Sequence, residues 1–426
     1  MAPSRPLRRL FAALTTLALT LPLGGVTAHA DGGMRARHDL TAGDRGSGPP
    51  VVLPAAPRLT TDVKWSDVPK SYWAKTAIDY VGGTESWMRD FKQNADGTYL
   101  FKPDSLESRK LFARTVVRAF APDEPTDPDV TFPDLPDTDR SFAFANIAVK
   151  LGWLTADADG NFLPDDPVTT RMVHRALVLA LGLGANANGL DRLHMRNGTT
   201  FDTPRDFGTL LIGMRLGLRY NHSDESLDVG PDTSLPRAEV AWSLYRAATV
   251  QSWQLDAMAP YATIRLPNLK PEATKIVRFG VQYVGYPYVY GGEWYEATPP
   301  GYCCGAQPVG GFDCSGITWW VVKEATGGWD NVPPRDYRGW PLPQRSSADM
   351  ASTGTKVRRF EDLRAGDLMF YDGDGNGVVD HVDVYIGNGW SIDSSSSMGG
   401  VSIVKVNSGW YFDHFVHGRR VIGTTS

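Results

Sequence analysis

The sequence predicts a multidomain chain in which a mostly α-helical repeat module precedes an α+β domain with a central antiparallel sheet. Three observations carry that expectation. A loose pattern recurs three times between residues 61 and 248, the apolar spacing then changes from helical to alternating, and every cysteine falls in the alternating part. The 426 residues exceed one ordinary domain. With 42% hydrophobic and 21% charged residues the composition is that of a folded chain, and a formal net charge of -5 leaves no basic footprint for nucleic acid.

The first thirty residues read as a signal peptide: Arg5, Arg8 and Arg9, an apolar stretch from Leu10 to Leu23, then the small-x-small site Ala28-His29-Ala30. The Arg8-Arg9 pair leaves both the general and the twin-arginine export routes open. Residues 31–60, rich in Gly, Pro, Ala and charge, read as a flexible spacer. No later stretch is apolar for the roughly 18 residues a membrane span needs, so the expected product has no transmembrane segment after signal cleavage. It is expected to be secreted, to the cell wall or cell surface.

Each repeat consists of an aromatic-x-Asp, a helix, an Asp/Gly turn, a Pro, and an Arg at a second helix start. The aspartates are Asp67, Asp134 and Asp202; the arginines are Arg109, Arg171 and Arg237. The turns include Asp96-Gly97 and Asp159-Gly160-Asn161, and the third unit closes on Pro236-Arg237-Ala238-Glu239. These features resemble S-layer homology repeats over residues 61–248. The resemblance implies a three-pronged module that binds a secondary cell-wall polymer, with Arg109, Arg171 and Arg237 near the anionic sugar. The alternative reading has each Arg capping or pairing within its own repeat.

Residues 249–269 read as a Pro-punctuated linker, and a helix from Pro271 to Val284 opens the second domain, 270–426. Its chemistry centres on GGFDCSGITWWVVKEA, residues 310–325, where a Gly-rich turn sets Cys314 at the start of an apolar helix. A helix N-terminus favours the thiolate, the reactive form. The alternative is a small buried hydrophobe, since free Cys is often interred. A base is offered by HVDVYIGNGWSID, residues 381–393, in which His381, Asp383 and Tyr385 alternate with Val382, Val384 and Ile386. If Gly387-Asn388-Gly389 forms a three-residue loop, Asp393 faces Asp383 and lies diagonal to His381, roughly 7 to 8 Å away at Cα. Cys314 as nucleophile, His381 as base and Asp393 as the group that fixes its tautomer then converge.

Four ordered motifs resemble the NlpC-type family of papain-like cell-wall cysteine peptidases: Tyr288-Val289-Tyr290-Gly291-Gly292, Phe312-Asp313-Cys314-Ser315-Gly316, Arg364-Ala365-Gly366-Asp367-Leu368 and the His381 strand. The resemblance implies an α+β papain-like fold and hydrolysis of peptidoglycan stem peptides, typically between D-glutamate and the diamino acid. It assigns Cys314 as nucleophile and His381 as base, with Tyr288 and the Cys314 N–H assisting the oxyanion. This chain departs from the pattern at Asp393, where His, Asn or Gln is usual, and at Asp383, where Gly is usual. A degenerate non-catalytic domain, and an amidase or acyltransferase on the same Cys-His fold, stand as alternatives. So does a zinc enzyme using His381, Asp383 and His414.

The chemistry requires no cofactor. Asp372, Asp374 and Asn376 match the opening of a calcium loop, with Asp380 and Asp383 at later ligand-like spacings, against a solvated Asp/Gly turn. Cys303 and Cys304 are open to a vicinal disulfide, two free thiols or an intermolecular bridge. His414 and His417 are spare base candidates, and Trp319-Trp320 reads as core.

Overall fold

The computed structural model describes residues 62–298, 301, 303–327 and 342–423. The expected signal peptide and spacer lie outside the described residues. The repeats supply three pairs of helices. The first pair is α1 (Lys75–Ile78), continued by a π-helical turn at Asp79–Thr84, with α2 (Arg109–Phe120). The second is α3 (Phe142–Lys150) with α4 (Thr170–Ala180). A short α5 (Gly184–Asp191) precedes the third, α6 (Phe207–Arg215) with α7 (Arg237–Thr249).

The repeats close into a ring. α2 packs on α3, α4 on α6, and α7 back on α1. At the centre three backbone hydrogen bonds run head to tail: Glu107 N–H to Leu235 O, Leu235 N–H to Val168 O, and Val168 N–H to Glu107 O, each 2.9 Å. No segment there has a sheet of its own, so each satisfies its buried backbone on the next repeat. The repeated aspartates serve local structure. Asp67 accepts from the N–H groups of Phe101 and Lys102 at 2.9 and 2.7 Å, and Asp134 from Phe162 and Leu163 at 2.8 and 2.7 Å. Lys102 and Leu163 both have positive φ, 58° and 56°, and the carboxylate contacts hold that strained turn. Asp202, at the matching position of the third unit, is exposed.

His174 on α4 is buried inside this ring. Burial pushes its pKa down to about 3, with Arg219 and Arg171 adding to the effect and the Leu210 backbone offsetting part of it. Between pH 6.5 and 3 the unfolded chain therefore binds a proton that the folded chain refuses, and stability falls as pH falls. A His174→Met variant is expected to lose that component, flattening the acid side of a urea-unfolding profile by up to about 1.4 kcal/mol per pH unit. An unchanged slope would remove His174 from the account.

Residues 249–269 are folded rather than a linker. They form α8 (Ser252–Asp256) and a 3-10 turn at Ala259–Thr263, with Met258, Tyr261, Ile264 and Leu266 buried. The apolar side chains of this segment face both neighbours: the turn packs on α5, while the Tyr261 ring lies tilted against Trp390 at 4.9 Å and its hydroxyl donates to Ile403 O at 2.9 Å. One apolar cluster runs from the repeats into the second domain. Gln282 Nε2 donates to Asp202 O, and Tyr290 N–H to Glu225 Oε1 at 2.7 Å, so polar contacts join them as well.

The second domain opens with α9 (Pro271–Gln282), two residues shorter than expected, with proline in the first turn. A small ladder, β1 (Glu293–Trp294) with β2 (Gly311–Phe312), leads into α10 (Cys314–Gly327). After α11 (Ser347–Met350) the strands are β3 (Thr355–Val357), β4 (Leu368–Tyr371), β5 (His381–Gly387), β6 (Trp390–Ser395) and β7 (Gly400–Lys405). Helix α12 (Trp410–Asp413) and β8 (Phe415–Arg420) complete it. The sheet is antiparallel throughout, in the order β3-β8-β4-β5-β6-β7. α10 lies on β5 and β6 with α9 behind it, and fully buried Trp319 and Trp320 fill that layer. This packing sets the start of α10 against the start of β5.

Candidate active site

Cys314 begins α10 because Asp313, directly after β2, caps the helix. Asp313 Oδ1 accepts from Gly316 N–H, the third residue of the helix, and Oδ2 from Gly291 N–H at 2.9 Å. Gly316 is needed for close approach: a Cβ there would stand 1.9 Å from Gly292 O. Tyr288 bridges Phe312, two residues before the nucleophile, and donates its N–H to Gly399 O.

A carboxylate next to a thiolate is electrostatically adverse, and Arg345 offsets it. Its guanidinium lies 3.0 Å from Asp313 Oδ1 and 2.8 Å from Glu293 Oε2, donates to Ser315 Oγ at 2.6 Å, and donates to Gly292 O at 2.9 Å. The buried Asp313-Arg345-Glu293 chain fixes the loop, the helix start and β1 together. Arg345 was not legible in the sequence, because it follows a Pro-rich stretch with no motif around it. The segment between β1 and β2 carries a disulfide between Cys303 and Cys304, Cα atoms 3.7 Å apart, and Cys303 N–H donates to Glu293 Oε1 at 3.2 Å. The structure thus takes the vicinal alternative, and leaves Cys314 as the free cysteine.

The β5–β6 hairpin delivers the other two groups. Its turn has two residues rather than three: Asn388 and Gly389, φ 53° and 79°, close on Gly387 opposite Trp390. One slip between Tyr385 and Gly387 then restores the register Tyr385 opposite Ser391 and Val384 opposite Ile392. Asp393 therefore still comes opposite Asp383. His381 Nε2 lies 2.8 Å from Asp393 Oδ1, and Asp393 Oδ2 accepts from Tyr411 at 2.7 Å. Tyr411, on α12, is a further site residue that no sequence motif marked.

The site is buried: Cys314 is 2% exposed, and His381 and Asp393 are fully covered. Burial opposes the imidazolium, yet the Asp393 carboxylate and the Cys314 thiol together hold the His381 pKa well above its usual value. The arrangement favours a thiolate–imidazolium pair. Asp383 is handled differently. Burial and the Asp393 charge push its pKa up to about 8, against hydrogen bonds from Ser391 (2.6 Å) and Tyr371 (2.8 Å). At neutral pH Asp383 is mostly protonated, so two carboxylates coexist there with one negative charge.

An Asp393→Asn variant removes the charge that sustains the imidazolium while keeping a group that orients the ring. The alkaline limb of kcat/KM is expected to move to lower pH, with a loss on the order of 10- to 100-fold at the wild-type optimum. A limb that stays in place would show that Asp393 does not set the pKa of His381.

The remaining candidates go elsewhere. His414 Nδ1 faces Trp410 O at 2.8 Å, and His417 stacks on Phe370 and bonds Ala351 O. No zinc ligand set of His381, Asp383 and His414 forms among the described residues. In the loop after β4 the carboxylates of Asp372, Asp374 and Asp380 lie within 4.8 Å of one another. The Asn376 amide donates to Asp374 Oδ2, and its oxygen accepts from Val378 N–H. The three carboxylates are ligands of the kind calcium takes.

Arg109, Arg171 and Arg237 lie between repeats, at the start of each second helix. Arg109 donates to Phe162 O and Thr155 O, both at 2.7 Å; Arg171 pairs with Asp232 at 2.7 and 2.8 Å. Arg237, 1% exposed, pairs with Asp90 at 2.6 Å and with Glu107, and donates to Phe101 O. Each side chain ties its helix to the next repeat around the ring rather than within its own repeat.

Residues 285–420 match the NlpC/P60 family model. This part of the chain is an NlpC/P60 domain. It is similar to peptidoglycan endopeptidase RipB of Mycobacterium tuberculosis, 34% identical over 144 residues, which are 33% of this chain and 52% of the relative. It is also similar to the gamma-D-glutamyl-L-lysine dipeptidyl-peptidase of Bacillus cereus, 29% identical over 189 residues, 44% of this chain and 45% of the relative. A solved structure of RipB overlaps 35% of this chain and 65% of that one at 28% identity and a TM-score of 0.26; the fold rests on the strand order above. The chain spans about half the length or less of the curated relatives it matches. Its NlpC/P60 domain holds Cys314, His381 and Asp393 together on the elements just described.

Proposed function

We propose that the chain is an exported cysteine endopeptidase acting on peptidoglycan stem peptides, with the bond between D-glutamate and the diamino acid as its target. The observation that carries this reading is the buried line Cys314, His381, Asp393, in which nucleophile, base and orienting carboxylate occur in the order acyl transfer needs. His381 takes the thiol proton; the thiolate attacks the peptide carbonyl; His381 then protonates the leaving amine, and water hydrolyses the thioester by the same route. In this reading the Cys314 N–H at the helix start and Tyr288 receive the oxyanion. The named relatives act in this chemistry, which supports the substrate class.

The ring of repeats is the wall-binding part in this reading, by affinity for a secondary cell-wall polymer. Because the three arginines join the repeats, ligand contact falls on other groups. Trp73, Tyr220 and Trp242, half-buried between the first and third repeats with Trp73 and Tyr220 stacked at 4.5 Å, offer sugar-sized apolar faces. The decisive experiment is mass spectrometry of products from defined stem peptides incubated with the purified chain. Scission at the D-glutamyl bond is expected; an acyl-exchanged product would make it a transferase, and intact peptides would leave a degenerate domain.

A further inference from the structure

We propose that the disulfide turn at Cys303 and Cys304 is a positioning element of the peptidase site, acting on the nucleophile through Glu293 and Arg345. The inference rests on the peptidase reading only for the role of Cys314.

A disulfide between neighbours in the chain closes almost no loop, so it removes little freedom from the unfolded state and is a poor global brace. Its effect is local, on the turn that holds it. Gly301 N–H donates to Gly305 O at 3.3 Å around the two cysteines, and Thr298 and Gln307 exchange backbone hydrogen bonds of 3.2 Å behind them. Gln307 fastens this hairpin to β1: its Oε1 accepts from Glu293 N–H at 3.0 Å, and its Nε2 donates to Trp294 O at 2.7 Å. The tip returns to the same residue, where Cys303 N–H meets Glu293 Oε1 at 3.2 Å. A Cβ on Gly301 would stand 2.1 Å from that oxygen, so the turn sits directly against the carboxylate.

Glu293, 2% exposed, carries this constraint inward. Its Oε2 accepts from Arg345 Nε at 2.8 Å, and the same guanidinium reaches Asp313 Oδ1 at 3.0 Å and Ser315 Oγ at 2.6 Å, the side chains on either side of Cys314. Printed on the fold, then, is a continuous path from the turn to both flanks of the nucleophile. A buried carboxylate that loses one donor is left short of a partner and resettles, and the guanidinium it holds moves with it. The charged groups around the thiol are His381 on β5, Asp393 behind it on β6, Asp313, Arg345 and Glu293. Arg345 is the permanent cation of this set, so its retreat leaves Asp313 less offset beside a forming thiolate. Cys303 is partly exposed and open to a dithiol reductant. Thiolate attack on one sulfur gives a mixed disulfide; the second reductant thiol then closes the reductant's own disulfide, and Cys303 and Cys304 are left as two thiols. With the ring opened, Cys303 N–H is no longer held on Glu293.

The test follows iodoacetamide alkylation of Cys314 against pH in the full chain, with and without Cys303→Ser and Cys304→Ser together, an exchange that alters no charge. Cys314 is the free cysteine in both chains. The double variant is expected to raise the midpoint by on the order of one pH unit, about tenfold in rate below the midpoint. Superimposed profiles overturn the proposal. In a Glu293→Gln background the same two serines are expected to add no further shift, and an additive shift overturns the route through Glu293. If the double variant does not fold, the folded wild-type chain is reduced with dithiothreitol and labelling of Cys314 is read by peptide mass; slower labelling is expected, and an unchanged rate overturns the proposal. Because alkylation needs no substrate, a chain inactive on stem peptides still answers this question.

Discussion

Cys314→Ala is expected to reduce turnover of purified stem peptides by about 10⁴-fold or more while the thermal unfolding midpoint moves little. The size of the effect follows from the division of labour. His381 and Asp393 act only through the sulfur, so the remaining oxyanion donors and binding contacts stabilise a transition state that no nucleophile reaches. The small effect on stability has a separate cause: the thiol is covered by apolar neighbours, and alanine removes a single heavy atom. Comparison of product formation with a urea titration separates the two. Full retained turnover would end the cysteine-peptidase reading.

Arg237→Met is expected to destabilise the chain by about 3–5 kcal/mol, since it leaves Glu107 and Asp90 buried without their shared cation. The deficit has a pH signature. Glu107 already has a pKa pushed up to about 7, by burial first and Asp90 in addition, with Arg237 holding it down. With Arg237 removed the folded pKa rises further above the unfolded value. Stability then falls as pH rises through the window above the ordinary carboxyl pKa, so the deficit narrows from pH 7 to pH 5. Urea unfolding at both values measures it; a loss under about 1 kcal/mol at pH 7 would return Arg237 to the pool of residues free to meet a wall polymer.

The parts of the site legible in the sequence were those that local periodicity controls. His381, Asp383 and Tyr385 alternate with Val382, Val384 and Ile386, so a strand and its two faces followed from spacing. The turn was misjudged by one residue, yet the slip beside Gly387 cancelled the error and Asp393 still came opposite Asp383. Asp372 and Asp374 were visible for the same reason, because a turn reads from adjacent residues. The partners of the Asn376 amide were not legible that way; they are Asp374 and Val378.

Residues 249–269 illustrate the opposite limit. Proline and short apolar runs look like a linker when nothing opposes them; in the fold Tyr261 and Leu266 are covered from both sides. Helix starts, the Cys314 motif, the hairpin pattern and the threefold repeat could be read from the chain order, since each is settled by residues within a few positions of one another. The partners of the charges could not. Arg237 with Glu107 and Arg345 with Asp313 are joined across long stretches of chain, and the pairing of a buried charge depends on which opposite charge packing brings within a few ångströms. The nucleophile was therefore visible in the sequence, whereas the charges packed around it, such as Arg345 on Asp313, are set only by tertiary contact.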